Sequence, residues 1–179
     1  MITLSIEKLT KEDFEPYGQI IEAGPDADQF LINEGNTIRF HDLAKIELIE
    51  APHNCVPQPK PKPIISIFRG KPRKLPFKID MLERHPLGSQ AFIPLNDRRW
   101  LTVVALGKLK PELETLRVFL AEGRQGLNYA AGVWHHPLLA LDKDSDFLIV
   151  DRQGPGENLE THTLTFPYAI PIITEEAPV

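Results

Sequence analysis

Proline and glycine are spread through the whole chain and limit the length of any regular element. The 179 residues include 17 prolines and 11 glycines, and these are not collected in a tail. Proline interrupts helix interiors and is tolerated in sheets only at edges and bulges. Many short apolar runs separated by turn residues are typical of β-sandwiches and barrels. The pattern therefore predicts an all-β fold with a few short helices, in a single domain over residues 1–179, because this length suits one core.

The apolar runs can be placed along the chain as individual elements. A capping pattern at Thr10 and Asp13 predicts a single helical turn through Phe14. Residues 116–120 fit a strand or a helix, and we choose the strand. The proline-rich residues 52–63 are interpreted as an extended surface segment rather than a linker. Residues 91–95 and 99–106 are predicted to pair as a hairpin, and further strands are expected at 2–7, 19–22, 30–33, 37–43, 64–69, 78–85, 138–141, 147–151 and 161–166.

Charge and composition exclude several classes of partner. The formal net charge of -5 gives no general attraction to nucleic acid or anionic lipid. No apolar run approaches the ~18 residues that a membrane span requires. Cys55 is the only cysteine, so an internal disulfide is excluded and a reducing compartment is expected. Residues 1–13 lack the apolar core of a secretory signal. We therefore expect a cytoplasmic protein with no nucleic-acid partner and no membrane partner.

A carboxylate and an imidazole stand two residues apart at the end of a strand-like run. If residues 78–85 are extended, side chains alternate between faces, and Ile79, Met81, Glu83 and His85 share one of them. That face carries apolar residues and should point into the interior. A buried charge there needs a partner, a metal or a substrate to offset its desolvation. This stretch is therefore the first candidate site.

Two stretches of the chain resemble the paired motifs of the cupin superfamily. The first motif is His-x-His followed, after three or four residues, by Glu, and Glu83, His85 and Gln90 stand at these positions. The second motif ends in Pro-x-Gly-x-x-His. Residues 130–135 match it up to His135, with Ala130 where proline is usual. The resemblance implies a cupin-type double-stranded β-helix, built as a barrel or sandwich.

One cupin family matches more closely and over most of the chain, from about Leu4 to the final strand. The matching segments are Arg39-Phe40-His41-Asp42-Leu43, Glu83 to Phe92, Gln125 to Tyr129, Trp134 to Leu138 and Asp146 to Arg152. In these segments the chain resembles the ureidoglycolate lyases, which implies a small-molecule substrate: cleavage of (S)-ureidoglycolate to glyoxylate and urea in allantoin and purine catabolism. It also implies a homodimer. Alternatives are an amidohydrolase that releases ammonia and a non-catalytic cupin that binds a small acid.

The residues of the two motifs could carry the chemistry in two ways. A divalent metal could chelate the substrate's carboxylate and hydroxyl together and lower the pKa of the hydroxyl. Mixed nitrogen and oxygen ligands suit nickel, manganese, iron or zinc, and nickel is the ion that the resemblance implies. Alternatively, Glu83 and His85 form ion pairs with Arg84, Arg39 or each other, and a histidine acts as the base. The candidate metal ligands are Glu83, His85, Gln90 and His135, and the candidate catalytic residues are Glu83, His85 and His135.

Substrate-binding residues can be proposed by chemical type. A guanidinium binds a carboxylate with two oriented hydrogen bonds, which lysine cannot do, so Arg69, Arg39 and Arg152 are candidates for the substrate carboxylate. Asn33 and Tyr129 could bind the urea amide, and either could equally serve in a turn or in packing. His136 is interpreted as structural and His41 as structural or catalytic. The basic loop 70–76 is interpreted as a solvated rim, and Cys55 lacks a nucleophile's sequence context.

Overall fold

The computed structural model describes residues 2–52 and 58–173. Within these ranges β-strands are the main element and hold about half of the residues (49%), with one α-helix and three short 3-10 turns. The helix is α1 (Lys11–Phe14). The strands are β1 (Ile2–Thr3), β2 (Ile6–Lys8), β3 (Gly18–Ile21), β4 (Asp28–Ile32), β5 (Thr37–His41), β6 (Lys62–Gly70), β7 (Phe77–Arg84), β8 (Gln90–Pro94), β9 (Trp100–Ala105), β10 (Arg117–Ala121), β11 (Gly126–Tyr129), β12 (Trp134–His135), β13 (Leu139–Ala140), β14 (Ser145–Gln153) and β15 (Glu160–Ile170).

Two strongly curled sheets make up the body of the protein. The eight-stranded sheet runs β1-β15-β7-β12-β9-β10-β2, with β13 paired to β9. The five-stranded sheet runs β3-β11-β8-β14-β6, and β4 and β5 form a separate hairpin. The prediction of an all-β, cupin-type fold is confirmed.

The core lies on both faces of the eight-stranded sheet. A first cluster joins the two sheets, with Trp100 and Phe119 from one and Phe92, Leu127 and Phe147 from the other. A second cluster covers the outer face of the eight-stranded sheet, which curls over it. That cluster contains Leu82, Leu101, Val103, Leu120, Leu139 and Leu164. Burying each such side chain stabilises the fold by roughly 1.5–3 kcal/mol.

Most predicted elements are confirmed, including the helical turn and the strand over 116–120. The hydroxyl of Thr10 accepts a hydrogen bond from the backbone N–H of Asp13, which caps α1. A 3-10 turn over Leu113–Thr115 precedes β10. Of the proline-rich stretch, residues 53–57 lie outside the described residues, and β6 begins at Lys62. No helix in the described part of the chain is long and apolar enough to cross a membrane.

The predicted hairpin of residues 91–95 with 99–106 is wrong. β8 pairs with β11 and β14 in the five-stranded sheet, whereas β9 pairs with β10, β12 and β13 in the eight-stranded sheet. The side chain of Asn96 accepts a hydrogen bond from the backbone N–H of Arg98. This local bond makes a bend between the sheets instead of a tight hairpin turn. The residues between β8 and β9 therefore predicted a turn correctly, but they did not predict which strands β8 and β9 pair with.

The predicted common face of β7 is correct only at its end. Ile79 packs in the same outer cluster as Leu82, so these two residues do not alternate. The register of β7 against β15 shifts between Ile79 and Met81, at a bulge, and a bulge resets which face each side chain occupies. Beyond the bulge, Glu83 and His85 do share a face.

Candidate active site

Two rows of side chains face each other between the sheets. In the eight-stranded sheet Glu83 is paired directly with His135. In the five-stranded sheet Tyr129 is paired with Gln90. Val150 pairs with Ala91, which places Asp151 next to Gln90 in register. Residues paired across strands point to the same face, so each row presents its polar groups to the interior.

Glu83, His85 and His135 form one compact group. One ligand atom from each of the three lies within 4.8 Å of the others. Glu83 Oε1 is 3.8 Å from His135 Nε2, and the two imidazole rings are 5.3 Å apart. The ring of Tyr129 stacks on His135 at 4.2 Å between centroids and 11° between planes. The stacking fixes the orientation of His135 from behind.

Backbone carbonyls set the tautomers of both histidines. His85 Nδ1 lies 2.6 Å from the carbonyl oxygen of Asn158, and His135 Nδ1 lies 2.9 Å from that of Val133. A carbonyl oxygen only accepts, so each Nδ1 carries a proton and donates it. In the neutral tautomer with the proton on Nδ1, Nε2 is the atom that carries the free lone pair. Both Nε2 atoms are buried and have no hydrogen-bond partner among the described residues.

Asn158 also contacts the turn that follows His85. The side-chain oxygen of Asn158 accepts a hydrogen bond of 2.7 Å from the backbone N–H of Leu87. Asn158 therefore contacts both the His85 ring and the turn that follows it. Such carbonyl and amide partners to the outer nitrogen are typical of metal-binding histidines.

Burial is the main influence on the protonation of this group. It raises the pKa of the Glu83 carboxyl, and nearby His85 partly opposes this. Burial, together with His85, lowers the pKa of His135 to about 3. His135 is therefore neutral at pH 7, and its 3.8 Å approach to Glu83 is not an ion pair. Three acceptor atoms converge without a donor, which is an arrangement that a bound cation would satisfy.

The group lies at one side of a cavity of about 920 Å³ between the sheets. Glu83, His85, Gln90 and Arg69, four of the residues predicted from the sequence, line it. Gln90 is only 7% exposed. The cavity therefore contains three of the four predicted metal ligands, and the fourth, His135, lies beside Glu83. Other polar residues of the lining, which the sequence reasoning did not assign to the site, are Lys71, Arg73 and Asp151.

Arg69 is the one predicted arginine that lines the cavity, and it already has a partner. Its Nε and a terminal nitrogen donate to the two carboxylate oxygens of Asp146, at 2.7 and 2.8 Å. Two cations of loop 70–76, Lys71 and Arg73, line the same cavity. The loop is exposed, as predicted for a solvated rim, and it also brings positive charge to the cavity mouth.

The other predicted substrate residues do not line the cavity. Arg152 is buried and donates to the carbonyls of Ile49 and Pro155. Tyr129 lies behind His135, with its hydroxyl bonded to Thr102 at 2.7 Å. Arg39 and Asn33 lie on the exposed β4–β5 hairpin, because local hydrogen bonds such as that from Asn33 to Thr37 form a turn there. A role in substrate binding remains a prediction for these four.

His136 and His41, the two other histidines considered from the sequence, occupy packed positions. His136 points away from His135, contacts the ring of Phe77 edge-on and bonds the carbonyl of Pro137. Burial lowers its pKa. His41 contacts Phe30 edge-on and has a buried, unpartnered Nδ1. Neither lines the cavity that contains Glu83.

Strand alternation could have identified Asp151. In β14 the side chains of Phe147 and Ile149 are buried in the core between the sheets. Two residues further along the same face is Asp151, a carboxylate that follows two buried apolar side chains. This is the signal that identified Glu83, and it was equally present in residues 147–151.

Comparison with known proteins identifies a family. The family model described as Ureidoglycolate lyase matches residues 1–171. A protein named ureidoglycolate lyase from Burkholderia mallei is 52% identical over 165 residues, which cover 92% of this chain and 91% of that protein. One from Pseudomonas syringae pv. syringae is 51% identical over 162 residues, covering 90% of each chain. Ureidoglycolate lyase 1 from Rhizobium meliloti is 49% identical over 168 residues, covering 94% of this chain and 93% of that protein.

Proposed function

This chain belongs to the ureidoglycolate lyase family, and on that premise we propose that it cleaves (S)-ureidoglycolate to glyoxylate and urea. The single observation that carries the proposal is the family match over residues 1–171. The convergence of Glu83, His85 and His135 in a cavity of suitable chemistry supports it.

The reaction requires little rearrangement of atoms. Ureidoglycolate carries a hydroxyl, a carboxylate and a ureido nitrogen on one carbon. Loss of the hydroxyl proton lets the C–O bond become a carbonyl while the C–N bond breaks. The ureido nitrogen leaves with that bonding pair and gains a proton, giving urea. The site must therefore bind the carboxylate, accept the hydroxyl proton and supply a proton to nitrogen.

The motif residues fit a divalent metal. The free Nε2 lone pairs of His85 and His135 and the carboxylate of Glu83 are the donor set, and Gln90 in the same cavity is the proposed fourth ligand. When bound, the ion would polarise the hydroxyl and the carboxylate of the substrate. Mixed nitrogen and oxygen ligands suit several divalent metals, and nickel is the ion we propose among them because the family resemblance implies it.

The chain's own groups orient the substrate around this donor set. Tyr129 holds the His135 ring in place, and the carbonyls of Asn158 and Val133 bind Nδ1 of the two histidines, which turns each Nε2 toward the donor set. Arg69, Lys71 and Arg73 give the cavity mouth positive charge, which attracts and orients a carboxylate. We propose Arg69 as the first carboxylate ligand, since part of its guanidinium remains free of Asp146.

A product assay tests the activity. Purified protein is incubated with (S)-ureidoglycolate, and glyoxylate, urea and ammonia are measured separately, without urease. We expect glyoxylate and urea in equal amounts and no ammonia. An amidohydrolase must instead attack the ureido carbonyl with activated water, so stoichiometric ammonia would contradict the lyase proposal.

Metal analysis of the same sample tests the cofactor. We expect a divalent ion bound in proportion to the protein, loss of activity on chelation, and recovery when nickel is added back. His85→Ala is expected to lower the bound metal while the circular dichroism spectrum is unchanged. Full activity in a verified metal-free sample would contradict the metal proposal and leave the lyase proposal standing.

Three further expectations belong to the same proposal. We propose a single catalytic unit over residues 1–179, acting in the cytoplasm as a homodimer. Exposed apolar side chains on the β4–β5 hairpin, Phe30, Leu31 and Ile38, offer surface for self-association. Light scattering of the wild type and of Leu31→Lys tests the dimer, and cell fractionation tests the location.

A further inference from the structure

We propose that Asp151 is the residue that recognises the ureido group of the substrate. The inference rests on the proposed function and adds a specificity-determining residue to it. The ureidoglycolate carboxylate is attracted to the cations at the mouth of the cavity, so the ureido end needs acceptors of its own. Asp151 supplies a carboxylate inside the same cavity.

The position of Asp151 is set by the register of the five-stranded sheet. Val150 pairs with Ala91 on one side, and Asp151 pairs with Ile64 on the other. Asp151 therefore stands beside Gln90, on the inner face and opposite the group that contains Glu83. Its Oδ1 is buried and has no hydrogen-bond partner among the described residues. A buried carboxylate oxygen left unpaired costs free energy that a ligand donor can recover.

Asp151 is separate from the proposed metal ligands. The group with ligand atoms within 4.8 Å of one another contains Glu83, His85 and His135, but not Asp151. At the mouth, Arg69 is paired with the other acidic residue of β14, Asp146, whereas Asp151 Oδ1 has no hydrogen-bond partner among the described residues. One carboxylate in the cavity is thus left for the substrate.

The chemistry of the ureido group matches a carboxylate. Its two nitrogens each point one N–H away from the carbonyl, in the same direction, and these two parallel donors fit the two oxygens of a carboxylate. Such charge-assisted, two-pronged contacts are stronger and more oriented than single neutral ones. Urea presents the same pair of donors, whereas glyoxylate has none. Asp151 should therefore bind the substrate and urea, and be indifferent to glyoxylate.

Steady-state kinetics of the metal-loaded enzyme test the proposal. The variants are Asp151→Asn and, as a matched control, Asp80→Asn, which changes an exposed aspartate of β7 paired with Lys78. The asparagine at position 151 keeps the size but replaces one acceptor with a donor. We expect KM for ureidoglycolate to rise about 10- to 100-fold, the range for losing a charge-assisted hydrogen bond, with a smaller change in kcat. Asp80→Asn should match the wild type.

Product inhibition separates the possible outcomes. In Asp151→Asn, inhibition by urea should weaken by a similar factor while inhibition by glyoxylate stays within about twofold, which also shows that the site is folded. A fall in kcat with unchanged KM and unchanged urea inhibition would make Asp151 a proton acceptor and overturn the proposal. Parallel weakening of urea and glyoxylate would also overturn it. A wild type that does not consume ureidoglycolate would instead contradict the proposed function itself.

Discussion

Two clusters of polar side chains in this protein differ in whether their hydrogen-bonding atoms have partners. Around Arg117 every strong donor meets an acceptor: Nε donates to Glu7 at 2.9 Å and a terminal nitrogen donates to Asp13 at 2.8 Å. The guanidinium also lies over the ring of Phe119, 4.7 Å from its centroid. In the group of Glu83, His85 and His135, by contrast, acceptors converge on one another and two buried nitrogens are unpartnered.

The difference separates groups that stabilise the fold from groups that serve a ligand. Removing one member of a satisfied network leaves its partners unpaired and costs stability. An unsatisfied group already lowers stability, and a fold keeps it where a ligand completes it. Substitutions in the two groups should therefore affect different properties of the same protein.

The largest expected effect is on activity. His135→Ala removes a free Nε2 atom and the ring that Tyr129 supports, so turnover should fall by about 100- to 10,000-fold, as for a positioned catalytic group. The far-ultraviolet circular dichroism spectrum should be unchanged. Turnover within threefold of the wild type would place the chemistry elsewhere and remove the contrast between the two groups.

The next effect is on stability. Arg117→Ala should lower the free energy of unfolding by about 2–3 kcal/mol, because Glu7 loses a charge-assisted partner and Phe119 loses a cation–π contact. The control is Arg124→Ala, which breaks the exposed pair with Asp97 and should cost under about 1 kcal/mol. Denaturant titration measures both, and kcat of the folded protein should not change. Equal losses of stability in the two variants would show that the Arg117 network stabilises the fold no more than an exposed ion pair does.

A smaller effect is expected at the cavity mouth. Arg69→Lys keeps the charge but loses the planar fork, so KM for ureidoglycolate should rise on the order of 10-fold. Initial rates at varied substrate concentration measure this change. An unchanged KM would remove Arg69 from the site, and Arg73, which lines the same cavity, would be the next candidate.

The smallest expected effect is the pH dependence of the stability that Asp13 contributes to the Arg117 network. Hydrogen bonds from Arg117, and then from Thr10, hold the pKa of Asp13 below its ordinary value of 3.8. A lowered folded-state pKa stabilises the protein above the unfolded-state value, and the gain is lost as the pH falls through the folded-state value. Thermal midpoints of the wild type and Asp13→Asn should therefore differ at pH 7 and converge in stronger acid. A constant difference at every pH would show that the charge of Asp13 is not the cause.

Sequence patterns predicted the parts of the site that depend on local spacing. Glu83 and His85 were found because the side chains of a strand alternate, and Gln90 and His135 because of motif spacing. Asp151 obeyed the same alternation and lay in the matching segment Asp146 to Arg152, but neither observation was used to assign it a role in the site. The positions of Arg152 and Arg39 could not be read in this way, because the segments that bury one and expose the other are set by long-range packing. The pairing of β8 and β9 failed for the same reason, since each strand found its partners far away in sequence.

The two-sided burial of β9 links the two cores of the protein. Trp100 and Val104 point into the core between the sheets, and Leu101 and Val103 point into the outer one. Neither core can melt without taking this strand from the other, and β9 also pairs with β12, which carries His135. We therefore expect the two cores and β12 to unfold on heating as one cooperative unit. Partial unfolding that displaces His135 but preserves both cores is therefore unfavourable.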